Sequence, residues 1–390
     1  MIGRVLLFKT ADSCYESVNV MVDNLEKEYL KLGIECDEID VSMNREQVLQ
    51  AMGIIDSGRY DAAIAFNAVG QQDVTIAGEN IFDHFGIPFI NILLDHPMDH
   101  YLNLNSSCKN YHVVCLDRNH ESFLKAYFHN LAGVHFLPLA AEYDEEAEPK
   151  EISIRSKDII FAGSLIKKSC AELFEEYKKY PEPYNDIIMR VLDRMLTCRD
   201  EDIGVAYDHV IRDDMRLDIS TSDYLDILSK IQICNYFMRT YLREEILGDL
   251  LKAKVPIHLY GGGMDRLLNA FPENRAIYHG SVPFSSIPEI YSDAKIVINI
   301  MPMFKNGCHD RIPFAMLQGS AVLTDRSKYI DDTFPDCVYT YSYDGTIADT
   351  IKDILSDEKK LSETAFRGRE YALNNMTWEC YAKKLLQMVV

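Results

Sequence analysis

The sequence is poor in tryptophan, with one in 390 residues, and short of positive charge, with 40 Lys and Arg against 61 Asp and Glu. The resulting net charge of −21 disfavours nucleic acid and a polybasic membrane patch, although a few local Lys and Arg can still dominate a binding cleft. Its ten cysteines never form a CxxC pair, so zinc ribbons and dithiol redox motifs are excluded as well. Cys14, Cys36, Cys115, Cys170 and Cys234 fall in apolar segments and read as buried free thiols of a reducing cytoplasm. No apolar run is long enough to span a bilayer; FINILL at 89–94 is typical. The opening MIGRVLLFKT lacks a small-residue cleavage site and reads as a strand. There is no internal repeat and no low-complexity tract.

What is present is alternation. Short apolar runs at 4–8, 34–41, 61–67, 88–94, 112–116 and 134–139 read as buried parallel strands. Helical periodicity fills 14–32, 44–57, 75–85 and 119–131, with Gly33, Gly58, Gly86 and Gly133 at the helix ends. Such alternation predicts a doubly wound α/β domain over 1–145. An acidic, Pro-containing stretch, AEYDEEAEPKE at 141–151, leads into a linker placed at 146–157.

A second α/β domain is predicted over 158–375, with strands at 158–164, 256–261, 276–279, 295–300, 320–324 and 337–341. Between its first two strands, about 165–255 reads as a helical insertion; Ile187, Ile188, Val191, Leu192 and Met195 share one helix face. The Lys and Arg of this insertion are balanced by acids and read as a solvated face. A terminal helix at 376–390 carries Trp378. Two such domains would place a ligand in a cleft beyond the carboxyl ends of their strands.

Residues 295–325, KIVINIMPMFKNGCHDRIPFAMLQGSAVLTD, hold the densest chemistry. A strand ends at Asn299, a polar loop carries His309 and Asp310, and Arg311 opens a helix that Gly319-Ser320 ends. A cation at a helix start, reached from a strand end, is a phosphate-binding arrangement, with capping by Asp310 as the structural alternative. Gly163-Ser164 allows close backbone approach after a strand, with Lys167 and Lys168 as diphosphate cations or solvated lysines. Gly261-Gly262-Gly263 is a strand-end turn that leaves room for a nucleotide or is an ordinary tight turn. His279-Gly280-Ser281-Val282 follows, with His279 at the phosphates or base or simply at a strand end.

In LLDHPMDHYLN at 93–103, Asp95 and His96 are acid/base or acceptor-contacting candidates, with Asp99 and His100 beside them. Capping is the alternative reading, and a metal pair at His96 and His100 a third; Pro97 and the missing Glu argue against the metal. Asn67, Gly70 and Gln71 are further cleft candidates. His112 and His135 fall in strand patterns.

The segments IIFAGSL, IHLYGGGMDRL, IYHGSVPFSSIPEIYSDAKIVINI, HDRIPFAMLQGSAVLTD and MTWECYAKKLL resemble, in this order, glycosyltransferases of the GT-B fold, the spore-protein CgeB-like group in particular. The resemblance covers about 256–386 well. It implies two Rossmann-like domains, and transfer of a hexosyl or N-acetylhexosaminyl unit from a nucleotide diphosphate sugar, a UDP-sugar, to a glycan, protein or cell-surface acceptor. It also implies retention at the anomeric carbon, no metal, no other cofactor, and a bacterial cytoplasmic enzyme. Donor contacts would fall to Gly163, Ser164, Lys167, Gly261–Gly263, His279, Gly280, Val282, Asn299, His309, Asp310, Arg311, Gly319 and Ser320. The terminal helix would pack at the interdomain seam. One departure is plain: the helix Glu that binds ribose in the family is Phe314 here. A sugar-nucleotide epimerase and a non-catalytic nucleotide-sugar-binding or scaffold protein are the alternatives.

Overall fold

A computed structural model describes residues 3–10, 14–42, 45–70, 74–301 and 303–389. They form two compact units: 1–140 with 377–390, and 141–376. The terminal helix Trp378–Val389 therefore belongs to the first unit, where Trp378 meets Phe66 edge-on at 6.5 Å. The first boundary lies a few residues before the expected one.

The sheet of the first unit contains β1 (Arg4–Lys9), β2 (Glu35–Asp40), β3 (Ala62–Phe66), β6 (Phe89–Leu93), β7 (Tyr111–Cys115) and β8 (Gly133–Phe136). Its order is β2-β1-β3-β6-β7-β8, and all pairings are parallel. The central strands AAIAF and FINIL are buried at every position, as strands covered on both faces must be. The edge strand ECDEID carries charge at four of its six positions because it meets solvent.

The expected helix at 75–85 is only Ile81–Phe85. A hairpin of β4 (Thr75–Ile76) and β5 (Glu79–Asn80) precedes it, turning on Ala77 and Gly78 at φ 53° and 86°. Two positive-φ residues make a tight two-residue hairpin turn, and Asn80 then caps the helix by accepting from Phe82 N.

The second unit has β9 (Lys157–Ala162), β10 (His258–Tyr260), β11 (Ile277–Gly280), β12 (Ala294–Asn299), β13 (Ala321–Asp325) and β14 (Tyr339–Tyr341). Their order, β11-β10-β9-β12-β13-β14, is that of a dinucleotide-binding doubly wound sheet. The order reverses between β9 and β12, which opens a crevice at the carboxyl ends of those two strands.

The insertion is helical as expected. Its last helix, Ile233–Lys252, is the crossover from β9 to β10 and packs Ile246, Leu247, Leu250 and Leu251 against Ile159, Phe161 and Leu259 of the sheet. The earlier helix Tyr184–Thr197 buries the predicted Ile187, Ile188, Val191, Leu192 and Met195. Nine cysteines are free, of which Cys115 and Cys234 are buried and Cys36 and Cys170 half-buried; the Cys14 side chain is not described.

Arg155 clasps the entry into this unit. Its buried guanidinium donates to the carbonyls of Lys150, Ala294 and Gln318 and to Ser320 Oγ, at 2.7–3.0 Å. Arg155→Met leaves these carbonyls without their donor, and equilibrium urea denaturation is expected to show a loss of about 3 kcal/mol.

Candidate functional site

The crevice of the second unit is built around Arg311. The helix Arg311–Leu317 is buried at all seven positions, so Arg311 is a buried cation, not an exposed one at a helix tip. Its Nε donates to Ala162 O at 2.5 Å and its Nη1 to Asn299 Oδ1 at 3.0 Å, bridging the two strand ends where the order reverses. The guanidinium also lies over the Phe161 ring, 5.5 Å from its centre. Nη2 makes no hydrogen bond among the described residues and lies 3.0 Å from where a Gly163 side chain would begin.

Asn299 is fully buried and is a holder of Arg311, not a ligand contact: its Nδ2 donates to Thr324 Oγ1 and its carbonyl accepts from Tyr341 O–H. Asp325 continues this network, accepting from Met301 N and Tyr343 O–H. Burial pushes the Asp325 carboxyl up, against the pull of Lys305 and those hydrogen bonds.

Asp310 makes no side-chain cap and pairs instead with His309. Burial alone would raise the Asp310 carboxyl; His309 and Arg311 outweigh it and hold it at about 2. Burial and then Arg311 push His309 down.

Beneath the crevice, the glycine turn packs on the chain itself. Gly163 N donates to Tyr260 O, Leu165 N to Gly262 O and Gly262 N to Ser164 Oγ. A Cβ on Gly261 would lie 2.4 Å from Gly163 O, and one on Gly263 2.1 Å from Leu165 O. These two glycines are therefore set by the backbone of 163–165, not by passage of a nucleotide.

Lys167 is exposed with no ion-pair partner among the described residues, whereas Lys168 is paired with Glu176 at 2.5 Å. His279 stacks flat on Tyr260 at 4.2 Å and its Nε2 meets His258 Nδ1 at 2.9 Å. Gly280 O accepts from Gly261 N, so the end of β11 at 279–280 joins the same end of the sheet, and Val282 follows half-buried.

Gly319 and Ser320 are a correction. They precede β13 and so sit at the amino ends of the strands, opposite the crevice, where Ser320 Oγ donates to the carbonyls of Tyr291 and Ala294. Gly319 ends its helix at φ 69° against Pro149 and Arg155. Phe314 is buried edge-on against Phe284 at 5.2 Å, so the position where the resemblance implies a carboxylate is filled by an aromatic pair.

The insertion is not simply a solvated face. Arg243 of the helix Ile233–Lys252 donates through Nη1 to Ser164 O at 2.7 Å, while its Nε is buried with no hydrogen-bond partner among the described residues. Burial first, then Arg311 and Arg239, disfavour its charge. The adjacent acids are engaged elsewhere: Glu244 with Arg266 and Glu245 with Arg199. Balance along the sequence concealed this, although Arg239 and Arg243 stand four apart on one helix face, an arrangement that repels unless something anionic offsets it.

In the first unit Asp95 follows β6, half-buried, and accepts from Asn67 Nδ2 at 3.0 Å. Asn67 Oδ1 in turn accepts from Leu94 N, so the two strand ends are tied. His96 does not suit a base. It is buried, its Nδ1 accepts from Met98 N as the cap of the turn Pro97–His100, and burial pushes it well down. His100 is also pushed down by burial. Gly70 packs on the Phe8 ring, and Gln71 lies outside the described residues. His112 and His135 stack on each other in neighbouring strands.

Residues 239–387 match the glycosyl transferase-like family. No curated protein matches the chain. Among solved structures, a sucrose-phosphate synthase from Thermosynechococcus elongatus superposes with TM-score 0.56 at 10% identity, over 99% of this chain and 98% of that one. HepE of Anabaena, in complex with UDP and glucose, gives 0.52 at 11% identity over 99% of both chains. A glycosyltransferase from Rickettsia africae gives 0.54 at 12% identity over 100% of this chain and 98% of that one.

The chain has the GT-B fold. Both Rossmann-like units of GT-B are present, and the part that matches the family contains Arg243, the 299–311 loop and Arg311. In this GT-B chain the expected donor residues divide. Gly163, Ser164, Gly261–Gly263, His279, Gly280, Asn299 and His309–Arg311 gather at the carboxyl ends of the second sheet, and Gly319 and Ser320 do not.

Two outcomes follow from this geometry. Gly263→Ala is expected to cost about 2 kcal/mol in urea denaturation, because φ is 80° and a carbonyl blocks the Cβ; Gly280→Ala, at φ 75° with open space, costs about 1 kcal/mol. His96 stays neutral when folded but takes a proton near pH 6.5 when unfolded. Stability therefore falls as pH drops below that value, by up to about 1.4 kcal/mol per pH unit for this group. His96→Asn keeps a capping acceptor and is expected to flatten the decline between pH 7 and pH 5.

Proposed function

We propose that this chain is a glycosyltransferase that moves a hexosyl or N-acetylhexosaminyl unit from a UDP-sugar to a glycan, protein or cell-surface acceptor. The observation that carries the proposal is Arg311, a buried guanidinium bridging β9 and β12 at the topological switch point, with Nη2 making no hydrogen bond among the described residues. The match of 239–387 to a glycosyl transferase-like family supports the same reading. So does the fold shared with HepE, which was solved with UDP and glucose.

Departure of the nucleoside diphosphate places charge on its terminal phosphate, and a fixed guanidinium stabilises that charge without rearranging. Lys167, exposed on the same strand-end loop, adds a mobile second cation. Fixed and mobile cations can supply this charge stabilisation without a metal, so we assign a metal-independent reaction, with retention at the anomeric carbon. Acceptor recognition falls to the first unit, where Asp95 and Asn67 present a carboxylate and an amide at adjoining strand ends. His279 and Val282 extend the donor side toward the nucleoside. We place the enzyme in the bacterial cytoplasm, consistent with nine free thiols, and in the CgeB-like group of GT-B enzymes.

The test is release of UDP from a panel of UDP-sugars, with product analysis by NMR. We expect turnover that persists in EDTA and falls by about 100-fold or more in Arg311→Ala. Turnover abolished by EDTA and restored by Mg²⁺ would remove metal independence. A donor converted to its epimer with no UDP released would make the chain an epimerase. Undiminished turnover in Arg311→Ala would displace the donor site.

A further inference from the structure

Arg243 and Arg311 reach the same three residues of backbone from different directions. Arg311 Nε donates to Ala162 O, and Arg243 Nη1 donates to Ser164 O, two residues further along the strand-end loop. Gly163 lies between them without a side chain, and a Cβ there would meet Arg311 Nη2 at 3.0 Å. Two guanidinium groups are thus anchored on alternate carbonyls of one half-buried turn at the switch point.

Neither is neutralised. Among the described residues no carboxylate forms an ion pair with either arginine. Asp310 is the one acid whose field reaches both, and it is paired with His309. Arg239, a turn earlier on the helix of Arg243, adds a third cation whose charge Arg243 feels. Tyr343 is the remaining polar neighbour, and its hydroxyl is spent on Asp325. A guanidinium does not shed its proton at ordinary pH. Partly buried like charges are therefore held together at a cost in stability. Arg243 Nε, buried and without a hydrogen-bond partner among the described residues, is a donor awaiting an acceptor.

We propose that Arg243, supplied by the helical insertion, forms with Arg311 a two-arginine clamp for the diphosphate group of the donor. The clamp rests on the glycosyl-transfer reading for the identity of that ligand, but its own chemistry asks only for a diphosphate. Two forked cations on alternate carbonyls suit two adjacent phosphates and discriminate against a single one. The insertion thereby gains a function: it delivers a second fixed cation, beside the mobile Lys167, that holds the leaving group. Arg243 is a binding residue, and its loss removes discrimination between one phosphate and two.

Calorimetric titration of the full chain with UDP, UMP and inorganic pyrophosphate tests this, in the wild type and in Arg243→Gln. The clamp predicts that UDP binds the wild type more tightly than UMP does. In Arg243→Gln, UDP and pyrophosphate affinity should fall by about 10–100-fold, with UMP unchanged. It also predicts that unliganded Arg243→Gln melts at or above the wild-type temperature, because a buried like charge has been removed. A merely structural arginine would give the reverse, a lower melting temperature with UDP affinity intact, and that result overturns the proposal.

Equal UDP binding by both proteins overturns the clamp and leaves the glycosyl-transfer reading standing. Arg243-dependent binding of pyrophosphate with no binding of UDP supports the clamp and overturns that reading. No binding of either ligand overturns both. Should Arg243→Gln not fold, Arg243→Lys keeps the charge and loses the fork; a reduced UDP-to-UMP ratio supports the clamp, and an unchanged ratio overturns it.

Discussion

The contact on which the second unit turns is the pair of hydrogen bonds from Arg311 to Ala162 O and Asn299 Oδ1. It closes the only place in the sheet where the strand order reverses, so one side chain joins β9 to β12 where backbone pairing has ended. Everything near it is arranged to keep that guanidinium in place. Asn299 is held by Thr324 and Tyr341, Asp325 ties the start of the 300–310 loop, and Tyr343 anchors Asp325 from β14's end of the sheet. The network is buried and hydrogen-bonded throughout, which gives it the rigidity that electrostatic preorganisation requires.

That rigidity leaves a charge problem as its residue. Arg311 and Arg243 approach the same turn, the acids next to Arg243 are committed to Arg266 and Arg199, and Asp310, whose field reaches both arginines, is paired with His309. A fold that isolates two cations in this way stores a demand for an anion. The carboxyl ends of a doubly wound sheet are where phosphates are received in this class of fold, so geometry and electrostatics name the same ligand class.

The architecture was legible in the sequence because its signals are local. Short runs such as AAIAF and FINIL, bounded by turn signals, read as buried strands and are, and Gly33, Gly86 and Gly319 end helices at positive φ. The hairpin at 75–80 was missed because Ala77-Gly78 is a turn whose first residue carries no turn signal. The site was legible in part: Arg311, Gly163 and Ser164 meet as expected. Asn299 was read as a contact and is a support, since one residue type serves both roles and only burial tells them apart. The glycine turn was read as room for a nucleotide or as an ordinary tight turn; its space is taken by Leu165 O and Gly163 O, a contact 98 residues away in sequence that no local pattern reports. Arg243 was hidden for the opposite reason, because its acids are adjacent in sequence but engaged elsewhere in space. Ser320 was placed on the wrong end of the sheet because a strand's start and finish lie close in sequence and far apart in the fold.

The most direct measurement of this account is a crystal structure of the full chain with UDP. The account predicts both phosphates at the Ala162–Ser164 turn, with oxygens within hydrogen-bond distance of Arg311 Nη2 and Arg243 Nε. Phosphates bound elsewhere, with the two guanidinium groups still unoccupied, would contradict it.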